Sequence, residues 1–217
     1  MAVHPLELIR GRHVYLREMD ESDAPHVVEW RNRPDTRKWL IQWEPLTVGT
    51  HLRWFRGRSA AGDLLIVFET LDGERVASTS LQDFDRPGTS AEWGRLCAAR
   101  IGGNPHAILE GCYLLHRMCF EALQMFRVRG SVASENQRAY RLYQFLGYQK
   151  EGLRRKHWVR SNGYFDVIEI GIFAEEFAAA RSALEAKLYG VEPPPEVSAA
   201  EAARLRDRLA LERRGRH

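Results

Sequence analysis

Glu135-Asn136-Gln137-Arg138-Ala139-Tyr140-Arg141-Leu142-Tyr143-Gln144-Phe145-Leu146-Gly147-Tyr148 follows a strand-like run, Val128 to Ala133, and reads as a short helix closed by a glycine. Tyr143 lies seven residues after Asn136, two helical turns along the same face. Gly147 suits a left-handed C-cap, and Tyr148 begins the next strand. A polar residue at a strand-to-helix junction, with a phenol two turns later on its face, suits a site that holds an acyl donor at one end and a proton donor at the other. Tyr143 suits equally well a core position beside Leu142, Phe145 and Leu146, and the segment alone does not choose between the two.

Working outward, Val14-Tyr15-Leu16-Arg17 reads as a first strand, and Asp20 to Asp23 supply capping residues for a helix from Ala24 to Arg31. Pro34 and Asp35 precede a second helical stretch that carries Trp39. Val48-Gly49-Thr50 starts another helix, His51 to Arg58, closed by a turn at Ala60 to Asp63. Leu64 to Thr70 and Val76 to Leu81 form a hairpin around Asp72-Gly73. Ala91 to Ala99 is a further strand. A loop at Ile101 to Pro105 leads into apolar residues at Ile108, Cys112, Leu115, Cys119 and Leu123, which is helical spacing. After the quoted helix, Glu151 to Val159 and Tyr164 to Phe173 are two more strands. The order β-α-α-β-β-β-α-β-α-β-β specifies an α/β sheet with helices on its faces.

A chain of 217 residues with 44% apolar residues carries one sizeable core, with or without an appendage. Net charge is +3, which does not by itself imply a nucleic-acid partner. Arginines crowd 53–58, 154–160 and 204–216, where they suit solvated faces or the phosphates of a coenzyme or nucleotide-linked substrate. Cys97, Cys112 and Cys119 give neither a disulfide framework nor a paired C-x-x-C metal spacing, and no metal site is expected. The odd cysteine count and an N-terminus without a signal-like apolar run point to a reducing cytoplasm. No segment has the roughly 18–20 apolar residues of a membrane span.

The quoted stretch resembles the fourth helix of the GNAT superfamily of acyl-CoA N-acyltransferases, whose pattern is Asn-x-x-Ala-x-x-x-Tyr followed by Leu-Gly-Phe or Leu-Gly-Tyr. Every position of that pattern is present in Asn136, Ala139, Tyr143 and Leu146-Gly147-Tyr148. The resemblance covers residues 10–177 and implies the GNAT fold: α/β, a mixed central sheet with helices on both faces. Residues 178–217 remain as a helical C-terminal extension, broken by Pro193-Pro194-Pro195 and resumed at Ser198-Ala199-Ala200-Glu201, which matches a capping box.

Acyl transfer from a thioester to an amine needs a neutral amine, a donor for the charge on the carbonyl oxygen, and a proton for the departing thiolate. The coenzyme pyrophosphate favours backbone N–H groups at a helix N-terminus. The resemblance implies that Tyr143 protonates the sulfur and that Glu92 accepts the amine proton, directly or through water. A strand carboxylate paired with a nearby arginine is the bland alternative for Glu92, and Asp83 and Asp85 are runner-up bases. Asn136 is expected on the pantetheine arm or nearby backbone, and the strand edge around Leu96 and Ala98 on the pantetheine amides. The family's loop pattern, Gln/Arg-x-x-Gly-x-Gly/Ala, is altered here. Arg100-Ile101-Gly102-Gly103-Asn104-Pro105-His106-Ala107-Ile108 puts Asn104, His106 and Ile108 near the usual glycine positions. With Ala107 they are the expected coenzyme contacts, and acetyl-CoA is the expected co-substrate.

Glu29-Trp30-Arg31-Asn32, Gly152-Leu153-Arg154 and Gly163-Tyr164-Phe165-Asp166 resemble the branch with ribosomal-protein alanine acetyltransferases and nucleotide-amino-sugar acetyltransferases. That likeness makes Trp30, Arg31, Trp39, Trp93, His157 and Trp158 candidate acceptor-binding residues. The expected reaction is direct acetyl transfer to a small-molecule primary amine, an amino sugar or sugar nucleotide ahead of others. The expected chain is a monomer or homodimer with no membrane partner. N-terminal protein acetylation is the second reading. A non-catalytic binding module, or a transferase taking its acyl group from aminoacyl-tRNA, is the third.

Overall fold

The computed structural model describes residues 6–41, 44–85, 89–99, 105–160, 163–190, 194 and 196–214. The segment read first folds as expected. Strand β6 (Arg127–Ala133) runs into helix α5 (Gln137–Phe145), whose N-cap is Asn136; its side chain accepts from the Ala139 N–H at 3.2 Å. Gly147 closes the helix at φ +101°, where only glycine is unstrained. The Tyr148 N–H returns to the Tyr143 carbonyl at 3.0 Å.

The N-terminal part contains β1 (Glu7–Arg10) and β2 (Val14–Glu18), then α1 (Ala24–Asn32), α2 (Pro34–Arg37) and α3 (Val48–Ala61). Strands β3 (Leu64–Thr70), β4 (Arg75–Gln82) and β5 (Ser90–Ala98) follow, and α4 (Pro105–Arg117) ends in a π-helical turn, Met118–Ala122. Beyond α5 come β7 (Gln149–Arg160), β8 (Gly163–Phe173), α6 (Ala174–Tyr189) and α7 (Ala199–Arg214). Three readings change. Strand β1 is additional, Trp39 lies just past the short α2 rather than within a helix, and α6 starts at Ala174, ahead of the expected end of the domain.

The eight strands form one mixed sheet in the order β1-β2-β3-β4-β5-β6-β8-β7. All neighbours are antiparallel except β5 and β6, which run parallel and pair only at Ser90–Arg127, Ala91–Val128 and Glu92–Arg129. Arg129 clamps that junction, donating to Ser90 Oγ at 3.1 Å and to the Asp83 carbonyl at 2.9 Å. Past it β5 follows β4 and β6 follows β8, so the sheet opens into a V.

Helices cover both faces. One face buries Phe68, Trp93, Leu114, Leu115, Met118 and Ile172 under α4, α5 and α6. The other buries a smaller cluster, Met19, Val27, Trp30, Leu65, Val67 and Cys97, with Trp54 and Phe55 of α3 against it. Glu110 of α4 is wholly buried yet satisfied: its carboxylate accepts the Arg12 and His13 N–H groups of the β1–β2 turn at 2.6 and 2.9 Å. The C-terminal helices join the larger core through Phe177, Leu184, Leu188, Ala202 and Leu205. Arg206 of α7 donates to the Ala122 carbonyl at 2.7 Å. Deleting 196–217 would therefore strip part of the core. Among the described residues no helix is long and apolar enough to cross a membrane.

Candidate active site

The opening between β5 and β6 is made by small residues and filled by one large one. A Cβ at Gly130 of β6 would lie 3.2 Å from the Trp93 carbonyl oxygen and 3.2 Å from Tyr143 Cε1, so glycine lets the Tyr143 ring pass close to both strands. The Tyr143 hydroxyl reaches across and donates to the Trp93 carbonyl at 3.4 Å, a long bond that leaves its proton weakly held. Its ring packs edge-on against Trp93 and Tyr148, at 4.9 and 5.0 Å between centroids. Burial raises the phenol pKa, and the charge of Glu92 adds to the rise, with a further push from Cys112. Tyr143 therefore keeps its proton at neutral pH and can only donate.

Glu92 sits at the last β5–β6 pair, half-buried, opposite Gln82 of β4. Its Oε1 accepts from Gln82 Nε2 at 3.2 Å, a contact to an amide rather than the arginine pairing of the bland alternative. Asp85 is committed to its turn, accepting from the Ser90 N–H at 2.7 Å and Thr89 Oγ1 at 3.1 Å. Asp83 carries φ +48° and lies at the surface, with a side chain 60% exposed.

Beyond Glu92 the strand bulges. The register slips between Ser78 and Ser80 of β4, and Arg95 of β5 takes φ +58°. Thr79 ties the bulge down, accepting from Trp93 Nε1 and donating to the Gly94 carbonyl, each at 2.8 Å. Leu96 and Ala98, half-buried, lie on the stretch of β5 that β6 no longer pairs.

The acetyltransferase (GNAT) domain family matches residues 13–149. The chain belongs to the GNAT acetyltransferase family, and with it to the N-acetyltransferases. A putative acetyltransferase from T. thermophilus superposes with a TM-score of 0.71 at 25% identity, over 87% of this chain and 100% of that one. RimJ from Mycobacterium smegmatis, in complex with CoA-disulfide, gives 0.68 at 21%, over 83% and 95%. Spermidine N-acetyltransferase from Vibrio cholerae, in complex with CoA and spermine, gives 0.66 at 17%, over 76% and 98%. The last two likenesses show the fold. No curated protein sequence matches the chain.

In this GNAT chain the donor-side candidates divide. His106 is exposed at the first turn of α4, 5.9 Å from the His13 ring of the β1–β2 turn. Ala107 is wholly buried, backbone included, and Ile108 packs at the rim of the larger core. Asn104 falls outside the described residues. Asn136 uses its side-chain oxygen to cap α5, the nearby-backbone role among its two expectations.

The acceptor-side candidates divide more sharply. Trp93 is 1% exposed and Trp30 4%, each enclosed in one of the two cores, so their rings do not wall an acceptor site. For Trp93, Thr79 satisfies the indole N–H, which lets the ring be buried where the resemblance implied an acceptor-binding residue. Trp39 and Trp158 are half-buried and His157 exposed. Arg160 links the first two, donating to the Lys38 and Trp39 carbonyls at 2.8 and 3.1 Å while lying over the Trp158 ring at 5.8 Å. His157 sits farther out, bonded to Arg154 at 2.8 Å. Arg31 lies on the α1–α3 face, beside Cys97, Arg95 and His51. Asn32 has a structural role: it exchanges two hydrogen bonds with the Leu46 backbone, at 2.9 and 2.8 Å, and so fixes the approach to α3.

Sequence reasoning missed Gly130, Gln82, Arg95 and His51. A glycine inside a strand pattern was the available signal for the first. The cysteines are no nucleophiles: all three are buried. Burial pushes the Cys97 thiol up to about 11, against the pull of Arg31 and Arg33.

Proposed function

We propose that this GNAT enzyme moves an acetyl group directly from acetyl-CoA to the primary amine of a small molecule, with an amino sugar or sugar nucleotide as the preferred acceptor. The observation that carries the reading is the Tyr143 hydroxyl, kept protonated in the opening between β5 and β6. In this reading Glu92 takes the proton of the attacking amine, the new N–C bond forms as the C–S bond breaks, and Tyr143 gives its proton to the departing sulfur. The unpaired length of β5, around Leu96 and Ala98, meets the pantetheine amides. The start of α4, with His106 and the backbone of Ile108, receives the pyrophosphate, together with Asn104.

Calorimetric titration with acetyl-CoA, followed by thiol release over a panel of amines, tests the proposal. The panel includes amino sugars, sugar nucleotides and a peptide with a free N-terminus. Absence of binding at millimolar acetyl-CoA sinks it, and acetylation of the peptide alone moves the acceptor to protein N-termini.

A further inference from the structure

The α1–α3 face of β5 gathers positive charge that the surrounding residues do not neutralise. Arg31, at the end of α1, makes no hydrogen bond or ion pair among the described residues. Burial lowers its pKa; Cys97 pulls it back up and Arg95 pushes it further down. Arg33 donates through Nη1 to the Ala99 carbonyl and through Nε to Asp35 at 3.3 Å, yet its Nη2 is buried without a partner among the described residues. His51 is 3% exposed and stacked on Trp54 at 5.2 Å, and its Nε2 is buried and unpartnered in the same sense. Arg95 lies over the Trp54 ring at 5.3 Å and pairs with Asp63 at 2.7 Å, an aspartate that Arg58 already holds at 2.5 Å. Among the described residues Arg31, Arg33, Arg58 and Arg95 thus face Asp35, Asp63 and Asp83; Asp35 is 45% exposed, and Asp83, 60% exposed, stands 3.9 Å from Arg58.

Desolvated cations and buried donors without acceptors raise the free energy of the empty site, and an anion removes both penalties at once. The bulge sets Arg95 three residues past Glu92 on the same strand, about 10 Å along it. We propose that Arg31, Arg33, Arg95 and His51 bind an anionic group of the acceptor, a carboxylate or a phosphate, while its amine meets Glu92. This rests on the acetyl-transfer reading given above. A planar guanidinium forks onto either oxyanion. The acceptor is then an amine bearing an acidic group, and polycationic amines such as spermine are turned away.

The test compares matched amines that differ only in the anion: ethanolamine with O-phosphoethanolamine, 4-aminobutanol with 4-aminobutanoate, and glucosamine with glucosamine 6-phosphate. The wild type is expected to favour the anionic member by about tenfold or more in kcat/KM, and Arg31→Gln to erase that preference without changing the Kd for acetyl-CoA. The phosphate and carboxylate arms report which oxyanion the pocket prefers. Inorganic phosphate titrated into the coenzyme complex is expected to shift the His51 ring resonance in the wild type and not in Arg31→Gln. Arg31→Gln removes a half-buried charge that has no side-chain partner among the described residues, so its melting temperature is expected to hold or rise, which separates lost recognition from lost folding. Equal kcat/KM within every pair, or a preference and a His51 shift that survive Arg31→Gln, would overturn the proposal. Failure of acetyl-CoA to bind would instead overturn the acetyl-transfer reading, and the phosphate titration without coenzyme would still report on the anion site.

Discussion

Tyr143→Phe deletes one oxygen from the opening between β5 and β6 and leaves the ring in place. The edge contacts with Trp93 and Tyr148, at 4.9 and 5.0 Å, involve ring atoms that phenylalanine keeps. The hydrogen bond lost is the 3.4 Å contact to the Trp93 carbonyl, so the stability cost is about 1 kcal/mol or less. The expected kinetic cost is larger. A positioned general acid contributes about 10²–10⁴ in rate, or roughly 3–5 kcal/mol of barrier. Turnover should therefore fall about a hundredfold or more, while the acetyl-CoA Kd from calorimetry and the urea midpoint barely move. Thiol release under saturating amine measures the first quantity. Because burial and then Glu92 hold the phenol pKa up, the loss should be the same across neutral and mildly alkaline pH. A kcat within about threefold of wild type, less than 1 kcal/mol of barrier, would show that Tyr143 only packs the core. So would a rate loss matched by an equal loss of coenzyme affinity.

Under the proposed mechanism Glu92→Gln should lower kcat/KM about a hundredfold or more; wild-type kcat/KM would assign the base to water or another carboxylate. Gly130→Ala places a methyl 3.2 Å from both the Trp93 carbonyl and the Tyr143 ring. It should cost about 1–3 kcal/mol in urea unfolding and reduce turnover by displacing the phenol; wild-type values of both would refute the tight approach. Glu110→Ala removes the buried acceptor of the Arg12 and His13 N–H groups, with an expected loss of about 1–3 kcal/mol in the same assay. His51 and His116 are held by burial at about 4, so each binds its proton more readily unfolded. Stability is then full above pH 6.5 and falls as pH drops through the window toward 4. Each group removes about 2 kcal/mol between pH 6.5 and 5. A urea midpoint that stays flat from pH 7 to 5 would contradict this.

The helix that carries Tyr143 was legible because its signals are local. An asparagine cap, a glycine in the left-handed region and a phenol two turns along specify α5 without reference to the rest of the chain. What sequence could not show depends on distant partners. Trp93 read as a candidate acceptor-binding aromatic because Thr79, which satisfies its indole N–H, lies on another strand. The role of Glu110 is invisible in the helix pattern, since its partners are backbone groups of the β1–β2 turn. The bulge at Arg95 leaves no compositional mark, for an arginine at φ +58° is held there by its neighbours rather than by its own preference. Residues 178–189 read as an appendage because alanines dominate them, although Leu184 and Leu188 are buried in the larger core.

The three residue pairs that join β5 to β6 also make the sheet a hinge with two leaves, β1–β5 on one side and β6–β8 on the other. Glu92 and Arg95 ride on the first leaf. Tyr143 is anchored to the second, with its hydroxyl latched on the first. In the proposed mechanism the phenol is thus also a clasp, and its aim depends on the angle between the leaves. Warming that loosens this angle would then misdirect the proton while every helix remains folded, so turnover is expected to fail at a lower temperature than that at which the chain melts.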